Sequence, residues 1–362
     1  MAVVGSAGVI GHTHVDEIVE MESTVLAGVQ DVNQVGARGQ AEELGVKYYG
    51  TLDDLLDDRD VDAISVATPH PLHHEVALKA FEAGKHVLSE KPIAESPSKA
   101  HEMVEAARES GLTLGVVFQQ RFRPEIVRMH QMLQEGAVGR IYRTSLVFHN
   151  YRSQGYYNSA AWRGTWAGEG GGVLMNQAPH FLDVFQWLGG MPAAVQGSVA
   201  NLMHDIEVED SATAVLEYKD GARGIIHCDT VQTPTFQHIE VWGDKGALLL
   251  RDNKLTYQHF DTPLKESSDV ETGVSSKGPE ALTEAIEVED RPAVHGDAID
   301  DFARALIEGR DPAVPGAEAV KSLELAAAII LSGCRRERVD LPVDRQAYDD
   351  LLSELRERKG LL

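Results

Sequence analysis

The stretch AISVATPHPLHHEVALKAFEAGKHVLSEKP, Ala63 to Pro92, decides the fold. It opens as an apolar strand, Ala63 to Ala67. The strand breaks at Thr68-Pro69, because proline has no N–H for a sheet ladder and pushes the residue before it out of helical angles. Val76, Leu78, Ala80, Phe81 and Ala83 then supply the apolar face of a helix, which Gly84 ends. A second strand, His86 to Leu88, delivers Glu90-Lys91-Pro92 at its carboxyl edge. In open α/β sheets, ligands sit outside the carboxyl ends of the strands. Thr68-Pro69 and Lys91 are therefore two neighbouring strand ends that offer polar groups to one crevice.

Upstream, Ala2-Val3-Val4 is a short apolar strand that starts almost at Met1. Gly5-Ser6-Ala7-Gly8-Val9-Ile10-Gly11 follows, and then a helix from His12 to Met21. The three glycines allow a tight turn whose N–H groups meet a pyrophosphate at a helix N-terminus. Their spacing, GxxGxxG, is one residue longer than the usual GxGxxG, and glycine-rich strand-to-helix turns occur in many α/β proteins. The strand Thr24–Val29 leads to Asp31, about 20 residues past the last glycine, where a carboxylate binds the ribose hydroxyls of NAD and repels the extra phosphate of NADP. Arg38 softens that preference, so NADP stays open. The alternative for Asp31 is the N-cap of the next helix, and the context favours the ribose role.

The alternation continues through a helix at Gln34–Leu44, a strand at Lys47–Tyr49, helices at Leu52–Leu56 and Ser98–Glu109, and a strand at Leu112–Phe118. Alternating strands and helices predict a parallel sheet covered on both faces. After about Gln120 the pattern changes. A helix at Glu125–Glu135 and a strand at Ile141–Asn150 precede an aromatic- and glycine-rich loop, Tyr151–Gly172, and a helix at Asn176–Leu188. Strands follow at Ala194–Leu202, Asp210–Tyr218, Ala222–Val231, Gln237–Trp242 and Ala247–Arg251, with hairpin signals at Asp220-Gly221 and Asp244-Lys245-Gly246. Ser267–Pro279 reads as a mobile polar loop. Helices at Gly296–Glu308, Gly316–Cys334 and Arg345–Arg358 close the chain. The organisation is a doubly wound α/β domain over residues 1–120, then an α+β domain over 121–362 built on one large, mostly antiparallel sheet.

Length and composition agree: 362 residues exceed one ordinary core, and 43% hydrophobic content fills two. No run of about 18 apolar residues marks a membrane span, and no basic segment precedes the first apolar stretch as in a secretory signal. A formal charge of −24 repels phosphate backbones and anionic membranes, which argues against nucleic acid as a partner. Cys228 and Cys334 lack metal-ligand spacing and read as buried thiols in a reducing, cytoplasmic compartment. His70, His73 and His74 have the look of a metal cluster, though no metal is expected.

The motifs together resemble the Gfo/Idh/MocA oxidoreductases, the family of glucose-fructose oxidoreductase and inositol dehydrogenase. The resemblance rests on the Gly5–His14 turn, Asp31, TPHPLH (Thr68–His73), AGKHVLSEKP (Ala83–Pro92), RFRP (Arg121–Pro124), GGGVLMNQAPHFLD (Gly170–Asp183) and the pattern Asp300–Ala319. It spans nearly the whole chain, and EKP with the GGG…H…D helix is its specific part. It implies a Rossmann domain that binds NAD(P) and an open-faced sheet that makes homodimers or homotetramers. It implies that Lys91 and His180 sit beside the nicotinamide. It also implies cofactor contacts from residues 5–11, Asp31, Thr68, Pro69, His70, His73, Glu90, Lys91, Trp162 and Arg163.

That pairing makes chemical sense. Oxidising a secondary alcohol requires loss of a hydride and of the hydroxyl proton. A neutral histidine can accept that proton at physiological pH, and an ammonium stabilises the developing alkoxide. Asn176 is four residues before His180 and would share its helix face. Many relatives carry aspartate there; an amide orients a hydroxyl but takes no proton. Asp183 would orient the imidazole or face a neighbouring helix. Arg121 and Phe122 at the domain junction, with Tyr156, Trp162 and Arg163 in the aromatic loop, are the further substrate-binding candidates, since aromatic faces stack on sugar C–H faces and arginines bond hydroxyls. The expected activity is NAD-dependent oxidation of a polyhydroxylated small molecule. A redox-assisted glycosidase or lyase with tightly held NAD is the alternative, and a non-catalytic NAD-sensing regulator comes third.

Overall fold

A computed structural model of the protein describes residues 1–268 and 278–361. Nine residues of the expected polar loop Ser267–Pro279 lie outside them. The first sheet contains β1 (Ala2–Val4), β2 (Gly28–Gln30), β3 (Lys47–Tyr49), β4 (Ala63–Val66), β5 (His86–Ser89) and β6 (Leu114–Val116). Its order is β3-β2-β1-β4-β5-β6, every pair parallel. Residues of β1 and β4 are buried along their whole length, as strands covered on both faces must be. Strand order reverses between β1 and β4, and the crevice where such sheets bind ligands opens at their carboxyl ends.

The second sheet comprises β7 (Ile141–His149), β8 (Ala194–Ala200), β9 (Ser211–Glu217), β10 (Arg223–Asp229), β11 (Phe236–Gly243), β12 (Gly246–Arg251), β13 (Lys254–Phe260), β14 (Ala281–Ile286) and β15 (Val339–Asp340). Its order is β14-β13-β12-β11-β7-β10-β9-β8-β15, antiparallel except for β7 beside β10. Ala212, Ala214 and Leu216 of β9 point to the core while Thr213 and Val215 are exposed, the alternation of a half-covered sheet. Helices Pro179–Gly189 and Gly316–Arg335 cover the inner face. No helix among the described residues is long and apolar enough to cross a membrane. Cys228 and Cys334 are buried and form no disulfide.

Several elements depart from expectation. Helix Val9–Glu20 begins three residues earlier than the expected His12, directly at its N-cap Gly8. β13 and β14 extend the sheet beyond the expected strands. The turn into β13 uses Asp252 and Asn253 at φ 45° and 69°, a left-handed pair that Asp and Asn tolerate better than most residues. The division at residue 120 is crossed by packing: Ala298, Ile299 and Phe302 share a core with Val3, Val15 and Leu88 of the first unit. The Val116 N–H also donates to the Val314 carbonyl at 3.1 Å.

Glu209, fully buried, ties the glycine run to the second sheet. Its carboxylate accepts from the N–H groups of Gly172 at 2.8 Å and Leu174 at 3.1 Å. Burial pushes its carboxyl up to about 7 from an ordinary 4.5. Between pH 4.5 and about 7 the native protein therefore holds a proton that the unfolded chain has released. Stability falls as pH rises through that window, by about 3 kcal/mol at most for this group. Urea unfolding across the window should show that decline, and Glu209→Gln should reduce the slope. An undiminished slope in the variant contradicts the assignment.

Candidate active site

The crevice at the end of β1 is shaped by close backbone approach. Gly5 adopts φ +84°, and a Cβ there would lie 2.8 Å from the Ala67 carbonyl oxygen. A Cβ on Gly11 would lie 2.0 Å from the Gly5 carbonyl oxygen, so the helix can meet the turn only with glycine. The Ala7 N–H donates to Asp31 Oδ2 at 2.9 Å and the Asn33 N–H to Oδ1 at 2.7 Å. Asn33, not Asp31, caps the next helix, its side chain accepting from the Gly36 N–H. Arg38 stacks over the Tyr48 ring at 5.0 Å.

Two buried hydroxyls on this crevice, Ser6 Oγ after β1 and Thr68 Oγ1 after β4, have no hydrogen-bond partner. Val9, Val32 and Val35 are 84%, 94% and 85% exposed around the same strand ends. A cradle that only glycine permits, orphaned hydroxyls and exposed apolar side chains together fit a dinucleotide.

Lys91 follows β5. Its N–H donates to Glu90 Oε2 at 3.0 Å, and Nζ donates to the Asn176 carbonyl at 2.9 Å, joining the two units. Burial lowers its pKa from 10.5, opposed by Glu90 and Glu169; Arg152 and Arg163 lower it further. Glu90 Oε1 meets His14 Nε2 at 3.0 Å, and His14 Nδ1 meets Ser65 Oγ at 2.7 Å. Burial disfavours the Glu90 carboxylate, but its bond to His14 and the charges of His14, His295 and Lys91 hold it down to about 2. His180 packs edge-on against Phe118, ring centroids 5.7 Å apart, and its buried Nδ1 has no partner. Burial, then the Lys91 charge, pull its pKa down to about 3.

Asn176 lies in the turn before the helix, which begins at Pro179, so the expected shared helix face with His180 is not how they meet. Its amide donates to Glu169 Oε1 and lies 3.4 Å from the Tyr156 hydroxyl. That hydroxyl also accepts from Arg163 Nη1 at 2.6 Å. Arg163 stands over both the Tyr156 and Trp162 rings, and Trp162 meets His70 edge-on at 6.3 Å. Tyr156, Trp162, Arg163, Asn176 and Lys91 thus converge. Glu169, in the aromatic loop, was missed by sequence reasoning, since one glutamate among surface-type residues carries no local signal.

Other candidates are placed elsewhere. Arg121 forms a buried two-pronged pair with Asp183, Nε to Oδ2 at 2.7 Å and Nη2 to Oδ1 at 2.6 Å. That pairing takes Arg121 out of the expected substrate set, and it means that Asp183 does not orient His180. Phe122 packs into the cores of both units. His73 braces two strand ends, Nδ1 2.9 Å from the Pro92 carbonyl and Nε2 2.8 Å from that of Thr68. His70 faces the Glu169 carbonyl at 3.4 Å and His74 pairs with Glu102, so the three histidines have no common focus.

A family model described as "Oxidoreductase family, NAD-binding Rossmann fold" matches residues 1–118, and one for the GFO/IDH/MocA C-terminal domain matches 126–249. The chain belongs to the GFO/IDH/MocA oxidoreductases. This oxidoreductase's cofactor is NAD, with NADP still open. Its structure superposes on the WlbA dehydrogenase of Chromobacterium violaceum, solved with NADH and UDP-GlcNAcA, with a TM-score of 0.81 and 31% identity, covering 95% of this chain and 96% of that one. It is 29% identical to 1,5-anhydro-D-fructose reductase of Ensifer adhaerens over 83% of this chain and 86% of that protein. It is 25% identical to myo-inositol 2-dehydrogenase of Thermotoga maritima over 67% of this chain and 72% of that protein.

Removing one partner of a buried ion pair leaves the other charge stranded. Arg121→Met should therefore destabilise this oxidoreductase by about 3–5 kcal/mol in denaturant unfolding. A variant that unfolds at the wild-type midpoint yet needs more substrate would return Arg121 to substrate binding.

Proposed function

We propose that the protein is an NAD-dependent dehydrogenase acting on a secondary hydroxyl of a sugar, glycoside or cyclitol, with His180 as base and Lys91 stabilising the alkoxide. The observation that carries this reading is a buried imidazole nitrogen with no hydrogen-bond partner, within reach of the charge of an ammonium from the other half of the chain. Lys91 Nζ is anchored 2.9 Å from the Asn176 carbonyl, and its charge acts on His180, whose Nδ1 is buried and unbonded. The named activities of the relatives, on an anhydro-sugar and on an inositol, support a polyhydroxylated ring as substrate. The UDP-sugar acid in the WlbA complex widens that class to nucleotide sugars.

Gly5–Gly11, Asp31 and Thr68 are the residues that would hold NAD, whose nicotinamide supplies a hydride acceptor when bound. The neutral imidazole of His180 takes the hydroxyl proton, since burial and Lys91 keep the ring unprotonated at physiological pH. The same two effects oppose a lasting imidazolium, so His180 releases the proton to solvent water once the carbonyl has formed and returns to its neutral form. Lys91 faces the oxygen as it gains charge, in a place poor in water where its field is strong. Asn176 and Tyr156 orient neighbouring hydroxyls, and Trp162 offers an aromatic face to the ring.

A panel of sugars, glycosides, inositols and UDP-sugars, read by reduction of NAD and NADP, tests the substrate class. Product formed with no net reduction would replace dehydrogenation by transient-ketone chemistry. Lys91→Ala should lower kcat about 100- to 1000-fold while NADH still binds, and intact turnover in that variant would end the proposal. Because the ammonium form is the working one and its pKa is lowered from 10.5, kcat/KM should fall on the alkaline side before that value is reached. The acid side should show no limb from His180 near its ordinary 6.5.

A further inference from the structure

Glu169 is fully buried within the converging set, and the proposed chemistry gives it no part. It ends the short helix Trp166–Glu169 just before the glycine run. Oε2 accepts from the Gly164 N–H at 2.7 Å, and Oε1 accepts from Asn176 Nδ2. The second Nδ2 hydrogen has the Tyr156 oxygen at 3.4 Å. Burial pushes the Glu169 carboxyl up to about 7; above that pH it is a carboxylate, which can only accept, and this contact then dictates which end of the amide faces it. Asn176 Oδ1 is consequently turned away from Glu169, and no group among the described residues donates to it. The Asn176 backbone carbonyl meanwhile holds Lys91 Nζ. Glu169 thus holds the side chain of the residue whose backbone anchors the lysine.

We infer that Glu169 is a positioning residue: it locks Asn176 with its amide oxygen toward the substrate, so the site demands a hydrogen-bond donor, a hydroxyl, at that place on the ring. This rests on the dehydrogenase reading given above. A keto, ether or deoxy carbon at that place offers no donor and leaves the amide oxygen unpaired, which lowers affinity. Glutamine at 169 has one acceptor for two donors, Gly164 N–H and Asn176 Nδ2. Its own NH2 then draws Asn176 Oδ1, and the amide turns over to present Nδ2 to the substrate. Demand for a donor is thereby lost, while the fold keeps its volume and shape.

The test compares wild type, E169Q, N176A and the double variant E169Q/N176A. The substrate is whichever panel compound the wild type turns over fastest, together with its monodeoxy and mono-O-methyl forms. In the wild type one modified position should lose about tenfold or more in kcat/KM. E169Q should erase that preference, raising KM more than it lowers kcat, with NADH binding by fluorescence unchanged. The double variant should match N176A alone, because Glu169 acts through Asn176. Additive losses, or a preference kept in E169Q, overturn the inference.

A second arm needs no turnover. In protein labelled with 15N-asparagine, the Asn176 side-chain NH2 signal, identified by its absence in N176A, should lie downfield and move back in E169Q. An unmoved signal overturns the inference by itself. If the wild type turns over no panel compound while that signal behaves as expected, the dehydrogenase reading fails and the locking of Asn176 stands.

Discussion

The bond from Lys91 Nζ to the Asn176 carbonyl constrains everything around it. An ammonium taken out of water loses several kcal/mol of hydration, and attraction within the protein must return it. Here one carbonyl touches the charge and two carboxylates, Glu90 and Glu169, act on it from nearby, while Arg152 and Arg163 oppose them. The lysine comes from a strand end of the first sheet, and the carbonyl from the turn that enters the second unit. Neither unit can complete the site alone. The shared packing of Phe302 with Val3 and the Val116-to-Val314 bond hold the halves in the register this contact needs.

A second ring of contacts holds the first. Glu90 accepts the Lys91 N–H on one oxygen and faces His14 and His295 with the other, at 3.0 and 3.6 Å. His14 comes from the first helix and His295 from the start of a late one, so three distant segments fix one carboxylate. His73 does similar work between Thr68 and Pro92. His14 and His73 follow or flank the motifs expected to hold the cofactor, and both ring nitrogens of each are spent on protein partners. Two groups of histidine and carboxylate among the described residues have ligand atoms close together, His14–Glu90–His295 and His149–His227–Asp229. In both, hydrogen bonds or ion pairs within the group account for the closeness.

What could be read from sequence follows from range. The glycine turn, the strand Ala63–Val66, and the helix and strand after it are local patterns of three to ten residues, and the structure builds them nearly as written. Arg121 meets Asp183 across 62 residues of chain, and no periodicity announces a partner that far away. The stretch from Asn176 to Leu188 is apolar at helical spacing, which predicts a helix that includes Asn176. Pro179 instead opens that helix, as proline does at a first turn, and leaves Asn176 in a turn where its backbone carbonyl is available. β13 escaped notice because its turn, Asp252-Asn253, lacks the glycine that usually marks such hairpins.

The net charge of −24 poses a problem for a protein whose cofactor is itself an anion. At long range the field is repulsive, but salt screens it beyond about 8 Å at physiological ionic strength. Attraction must then be local. The first turn of helix Val9–Glu20 contains no acidic side chain, so its N–H groups face the crevice unopposed. Asp31, which meets the glycine turn at Ala7, has each oxygen engaged by a backbone N–H. Farther in, Lys91 and Arg163 supply positive charge beside Glu169, which burial pushes up to about 7 and so leaves only partly ionised near neutrality. The crevice is thus far less acidic than the surface around it, and recognition there depends on short contacts, not on steering from a distance.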